Sequence, residues 1–68
     1  MSEQFQISLA AARAEAGLTK RAAAQKLDVT VDTLRRWERR PELVKTVFRR
    51  AMQDLYGVPL EHIRFTSS

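Results

Sequence analysis

The 68-residue sequence lacks cysteine and has only two glycines and two prolines. Without cysteine the chain has neither disulfides nor thiolate metal ligands. Glycines as far apart as Gly17 and Gly57 cannot form a glycine-rich phosphate loop. No apolar run approaches the roughly 20 residues that cross a bilayer, and the start of the chain has no signal-peptide pattern. We therefore expect no membrane contact and a cytoplasmic location.

Catalytic and metal-binding groups are equally scarce. His62 is the single histidine, and no cysteine or spaced carboxylate pair accompanies it as a metal ligand. Ser8, Thr30 and Thr33 have no histidine in a triad-like arrangement that would activate a hydroxyl. The sequence predicts no enzyme, no metal site and no cofactor.

What is present favours helices. Nine alanines and no long run of β-branched residues indicate an all-α fold. We interpret residues 1–68 as a single domain near the lower size limit for folding without disulfides or metals, with flexible termini at residues 1–5 and 66–68.

The charge is unevenly distributed. Residues 20–50 carry ten basic and four acidic side chains, a net charge of +6, whereas the remainder carries −2. Nine of the twelve basic residues are arginine, which favours bidentate contacts to phosphate or guanine. The pattern indicates one positive face, although a solvated charged surface is the alternative for any single run.

Residues 19–39 read as two short helices joined by a tight turn. A preceding helix is expected over about 8–16, with Gly17 as its C-terminal cap. Thr19 is a natural N-cap for a helix that ends at Leu27, and Asp28 occupies the turn.

The third helix, capped by Thr30 and running from Val31 to about Arg39, has two faces. At 100° per residue Leu34 and Trp37 fall on one side, which predicts a core position for Trp37 rather than stacking on a base. The opposite side carries the charged residues Asp32, Arg35, Arg36 and Arg39. Such a helix is suited to insertion into the DNA major groove.

Apolar residues recur at helical spacing between positions 43 and 56, after the interruption at Pro41. They are Leu43, Val44, Val47, Phe48, Ala51, Met52 and Leu55. Arg49 and Arg50 on this fourth helix are open to two interpretations, phosphate contact or solubility. Pro59 is expected to begin a short fifth helix with Leu60 and Ile63, and Phe65 to pack back onto the body.

Residues with different structural roles agree in register with one known family. They are Ala11-Ala12-Arg13, Gly17-Leu18-Thr19, Ala24, Leu27, Val29-Thr30, Thr33-Leu34, Trp37-Glu38, Leu55-Tyr56-Gly57-Val58 and Leu60. From Leu9 to Ile63 the chain resembles lambda-repressor-like helix-turn-helix domains of the Cro/Xre type, small phage or prophage regulators in particular. The resemblance implies a compact five-helix domain with the third helix in the major groove.

The resemblance also implies residue roles. The base-edge readers would be Val31, Asp32 and Arg36, with Arg35 close by. The DNA-backbone contacts would be Lys20, Thr30, Thr33, Arg39 and Arg40. Arg13 and Glu38 would form a structural ion pair between the first and third helices.

Two residues depart from the family pattern. Asp28 replaces the usual turn glycine, at a position expected to need a left-handed backbone that costs Asp about 1 kcal/mol. Asp32 puts a carboxylate where glutamine or serine is common. It can accept a hydrogen bond from cytosine N4 but repels phosphate.

The leading functional hypothesis is a sequence-specific regulator of transcription, a repressor or Cro-like switch protein, bound to double-stranded DNA at the nucleoid. One such domain reads few base pairs, so we expect a homodimer on a near-palindrome. The alternative is an antirepressor or modulator that uses the same fold to bind a partner repressor protein, through the third helix or the apolar residues near Leu60, Ile63 and Phe65.

Overall fold

The computed structural model describes residues 5–66. The flexibility expected for residues 1–4 and 67–68 lies outside this range, whereas Phe5 and Thr66 are described, exposed and outside any helix. The described chain is all-helical, with four α-helices and two single 3-10 turns. The helices are α1 (Leu9–Glu15), α2 (Lys20–Leu27), α3 (Val31–Arg39) and α4 (Thr46–Tyr56). The first and second 3-10 turns cover Pro41–Leu43 and Leu60–His62.

Local signals set both ends of the first two helices and the start of the third. The side chains of Ser8, Thr19 and Thr30 each accept a hydrogen bond from a backbone N–H three residues later, at 3.1, 3.0 and 3.1 Å. After α1 and α2 the chain turns left-handed, at Gly17 with φ of 76° and at Asp28 with φ of 62°. The predicted boundaries of α1, α2 and α3 are therefore confirmed to within one residue.

The core lies between the helices. Its buried members are Leu9, Ala12, Ala23, Ala24, Leu27, Leu34, Trp37, Val44, Met52, Tyr56 and Ile63. Small alanines on α1 and α2 let the helices approach closely, and the large residues of α3 and α4 fill the space between them. The Trp37 ring packs against Phe48 with centroids 4.9 Å apart, which confirms its core position.

The fourth helix begins later than the apolar repeat suggests. Pro41 starts a 3-10 turn, after which Val44 and Lys45 are extended and α4 begins at Thr46. This break inserts Val44 into the core, and Arg49 Nε donates to the Val44 carbonyl oxygen at 2.7 Å. Leu43 and Val47 belong to the repeat but are 47% and 68% exposed.

The expectation of five helices is wrong for the described residues. Beyond Gly57 the chain forms only the turn Leu60–His62, because Ile63 is extended and pairs in parallel with Ile7. Backbone hydrogen bonds of 2.8 Å from Ile7 N to His62 O and from Arg64 N to Ile7 O hold this pair. A pairing between two segments so far apart in the chain leaves no hydrophobic periodicity in either segment, so the sequence pattern could not predict it.

Candidate nucleic-acid interface

Helix α3 separates its core residues from its charged residues. Leu34 is fully buried and Trp37 is 9% exposed, whereas Asp32, Arg35, Arg36 and Arg39 are exposed. Asp32 lies in the first turn, and Arg36 and Arg39 in the last, so these charges also oppose the helix dipole favourably. The side of α3 that carries the guanidinium groups faces away from the core.

Threonines organise the N-terminal end of α3. Thr30 Oγ1 accepts from the Thr33 backbone N–H at 3.1 Å and donates to Thr33 Oγ1 at 2.9 Å. The Thr30 hydroxyl, predicted as a phosphate neighbour, therefore uses its hydrogen within the fold. The Thr33 hydroxyl accepts that hydrogen and keeps its own to donate elsewhere.

Asp32 and Arg35, both predicted as base-edge contacts, are brought together. Arg35 Nη1 lies 3.1 Å from Asp32 Oδ1, and the two side chains are 55% and 85% exposed. The pair lies one helical turn apart on the exposed face of α3. The two side chains therefore present a donor and an acceptor side by side on this face.

The remaining predicted contacts surround this pair. Arg36, Arg39 and Arg40 are exposed, and none of them forms an ion pair within residues 5–66. Lys20 is half-buried at the first position of α2. Val31 is half-buried and packs against the core, so only part of this side chain is available to a base.

Arg13 and Glu38 join three parts of the fold. Arg13 Nε donates to Glu38 Oε2 at 2.8 Å, and Nη1 donates to the carbonyl of Leu18, also at 2.8 Å. Their side chains are only 14% and 7% exposed. The pair ties α1 and the turn after it to α3, and thereby helps to fix the orientation of α3.

Tyr56, one of the residues that carry the family resemblance, is buried near this pair. Its hydroxyl is buried and has no hydrogen-bond partner among the residues that the structure describes. Burial, followed by the negative charge of Glu38, raises the pKa of Tyr56 to about 12, while the charge of Arg13 opposes the rise. The hydroxyl therefore stays protonated at neutral pH.

Arg49, for which phosphate contact and solubility were the two interpretations, makes two contacts within the fold. Besides its hydrogen bond to Val44 O, its guanidinium carbon lies 4.5 Å from the centroid of the Phe65 ring. Such a cation–π contact helps to hold the C-terminal segment against α4. Phe65 packs onto the body as predicted, but with Ile63 buried, the apolar surface suggested for a protein partner is largely used within the fold.

An open groove of about 510 Å³ lies beside the start of α3. Its polar lining includes Arg21 and Gln25 of α2 and Asp28 and Thr30 of the turn. Sequence reasoning did not select Arg21 or Gln25, although their spacing of four residues puts them on one face of α2. The groove extends the polar surface of α3 onto α2.

Two negative findings concern other kinds of site. Within residues 5–66, no group of three or more histidine, aspartate or glutamate side chains is arranged to hold a metal ion. None of the helices in the same range is long and apolar enough to cross a membrane.

Comparison with known protein families gives a match. A family model described as a helix-turn-helix domain covers residues 5–65. Neither the curated proteins nor the solved structures gave a match. The matched range includes α2, the turn at Asp28 and the exposed face of α3. Because the family model spans nearly the whole sequence, the chain belongs to the helix-turn-helix domain family.

Proposed function

We propose that this protein is a sequence-specific regulator of transcription of the Cro/Xre type, acting as a repressor or Cro-like switch protein. Helix-turn-helix domains bind DNA by laying the second helix of the motif, here α3, in the major groove. The family is not typically enzymatic. The observation that carries the proposal is the division of α3: Leu34 and Trp37 anchor it in the core while its arginines remain exposed.

The contacts divide into two classes. Arg36 is an exposed arginine on the outward face and suits the O6 and N7 acceptors of guanine. The half-buried Val31 offers part of its side chain to a thymine methyl. Lys20, Thr30, Thr33, Arg39 and Arg40 surround this face and would hold phosphates, which fix register without reading sequence.

A single domain of this size reads too few base pairs to find a site in a genome. We therefore propose that two copies bind a near-palindromic operator, with half-sites about one helical turn apart. The complex would form in the cytoplasm, at the nucleoid. Titration of duplexes with one and two half-sites checks this, because two protomers should bind the complete operator and one a half-site.

Substitution of Arg36 and Lys20 tests the division of labour. Arg36→Ala should cost about 1–3 kcal/mol of binding free energy at one base position and relax the preference there. Lys20→Ala should lower the affinity for DNA of every sequence by about the same factor. Binding to a library of duplexes randomised in sequence measures both effects. An Arg36→Ala protein with unchanged affinity and preference would exclude Arg36 as a base-reading residue of α3.

The alternative function, binding to a partner repressor protein, has one observation in its favour. Asp32 is a highly exposed acid on the face that would approach phosphates. A protein partner held by apolar contacts should tolerate salt far better than DNA, whose binding releases counterions. The dependence of affinity on salt therefore separates the two functions.

A further inference from the structure

The ion pair between Asp32 and Arg35 lies where a base pair would be read. Both side chains are more than half exposed, so the pair is open to a partner. An exposed pair of this kind contributes little to the stability of a protein. Its effect on stability is therefore a weak reason for an acid on an otherwise basic face.

The pair also controls the direction of the Arg35 side chain. Asp32 belongs to the first turn of α3, and the 3.1 Å contact draws the guanidinium of Arg35 back toward that turn. The N-terminal residues of a recognition helix contact base edges, whereas more distant positions approach the backbone. Asp32 thus holds Arg35 at the end of α3 that meets the bases.

The donor and acceptor of the pair are complementary to those of one base pair in the major groove. In a G·C pair the N4 amino group of cytosine donates to guanine O6, at a typical distance of about 2.9 Å. A carboxylate and a guanidinium 3.1 Å apart offer the complementary acceptor and donor side by side. Asp32 can accept the second N4 hydrogen while Arg35 donates to guanine O6 and N7.

An A·T pair fits this arrangement less well. It also has a donor beside an acceptor, adenine N6 beside thymine O4. Thymine, however, gives a single acceptor next to its methyl group, whereas guanine gives two for a bidentate arginine. The ion pair of Asp32 and Arg35 also has a donor at one end and an acceptor at the other, so it distinguishes G·C from C·G.

We propose that Asp32 and Arg35 act as one unit that reads a single G·C base pair, separately from Arg36. The proposal rests on the proposed function, since it assigns a ligand to the same face of α3. It differs from independent reading by Asp32 and Arg35, because a unit loses its preference when either half is removed.

Selection from randomised duplex DNA tests the unit, with the wild-type protein, Asp32→Ala, Arg35→Ala and the double variant. The wild-type protein should select a G·C pair, and both single variants should lose about 5–150-fold of discrimination at that same pair. The double variant should lose no more than the more severe single variant. Arg35→Lys, which keeps the charge without the fork, should also lose the preference.

Matched controls separate reading from charge and from folding. Glu42→Ala removes an exposed acid from the first 3-10 turn, and Arg64→Ala removes an exposed arginine from the C-terminal segment. Glu42→Ala should raise overall affinity, Arg64→Ala should change it little, and neither should change any base preference. Thermal unfolding midpoints of all variants should stay close to the wild-type value, because both members of the pair are exposed.

Three outcomes overturn the unit. The two single variants could affect different base pairs, or Asp32→Ala could raise affinity for all sequences as the Glu42 control does. In either case the proposed function survives if Arg36→Ala still relaxes one position. If the wild-type protein selects no sequence at all, the unit and the proposed function fail together.

Discussion

At the scale of single residues, the pair of Arg13 and Glu38 matters most to the orientation of α3. The resemblance implied this pair, but it did not indicate how deeply the two side chains are buried. Their burial determines how much the pair contributes to stability. With side chains 14% and 7% exposed, each charge depends on the other to offset its desolvation. The pair therefore differs in kind from the exposed pair of Asp32 and Arg35, although both contain an arginine and an acid.

Glu38→Gln should lower the free energy of unfolding by about 3 kcal/mol, because it leaves the Arg13 charge buried without its counterion. Chemical denaturation measures the change. The double variant Arg13→Met with Glu38→Leu should be less destabilised than Glu38→Gln alone, since it leaves no buried charge. A loss below about 0.5 kcal/mol for Glu38→Gln would mean that the pair behaves as a surface pair.

Tyr56 gives a prediction in alkaline solution. Its pKa is 10.0 in the unfolded reference and about 12 in the fold. Since the folded state holds this proton more tightly, the contribution is complete below pH 10 and is lost as the pH rises toward 12. The slope is at most about 1.4 kcal/mol per pH unit. Tyr56→Phe should remove this part of the pH dependence, measured as the difference between the two proteins by denaturation at each pH. Equal slopes would contradict the assignment.

At the scale of elements, the sequence predicted the helix ends that are set by residues close to them in the chain. The helix starts depend on short-range hydrogen bonds, in which a capping side chain accepts from the backbone N–H three residues later. The starts of α1, α2 and α3 could therefore be predicted from Ser8, Thr19 and Thr30. The late start of α4 and the missing fifth helix depend instead on tertiary contacts, the burial of Val44 and the pairing of Ile7 with Ile63. No local pattern encodes such contacts.

The candidate site divides in the same way. Helical periodicity was enough to separate Leu34 and Trp37 from the exposed arginines of α3. It could not indicate that Asp32 and Arg35 join, or that Thr30 and Thr33 share a hydrogen bond, because both depend on rotamers. Nor could it reveal that Arg49 bonds to the Val44 carbonyl, since this contact depends on the extended backbone at Val44 between the 3-10 turn and α4.

Asp28→Gly should stabilise the helix-turn-helix unit. Asp28 ends α2 with φ of 62° and ψ of 43°, a conformation that costs a residue with a Cβ atom about 1 kcal/mol. Part of the gain is offset by the larger entropy of unfolded glycine, so we expect a net gain of about 0.5 kcal/mol and a rise in Tm of a few °C. Thermal unfolding followed by circular dichroism measures the shift.

Asp28→Ala is the matched control for this turn. It removes the same negative charge from the C-terminal end of α2 but keeps the Cβ atom, so the strain remains. A Tm for Asp28→Ala equal to or above that of Asp28→Gly would mean that charge, not backbone conformation, limits stability here.

At the scale of the whole molecule, the distribution of charge explains more than its net value. The chain carries a formal charge of +4, yet residues 20–50 alone carry +6. Four of the ten basic residues of this segment, Arg35, Arg36, Arg39 and Arg40, are exposed on α3 or directly after it. Such a face should attract DNA from a distance, and salt should weaken that attraction.

The decisive measurement is the dependence of DNA affinity on salt, with random-sequence duplex DNA as the probe. Contacts to about six phosphates predict a slope of log affinity against log salt concentration near −5. Arg39→Ala combined with Arg40→Ala should make this slope shallower by about two, whereas Arg64→Ala should leave it unchanged. A wild-type slope near zero, or a slope that the Arg39 and Arg40 substitutions do not alter, would contradict binding of DNA by this face of α3.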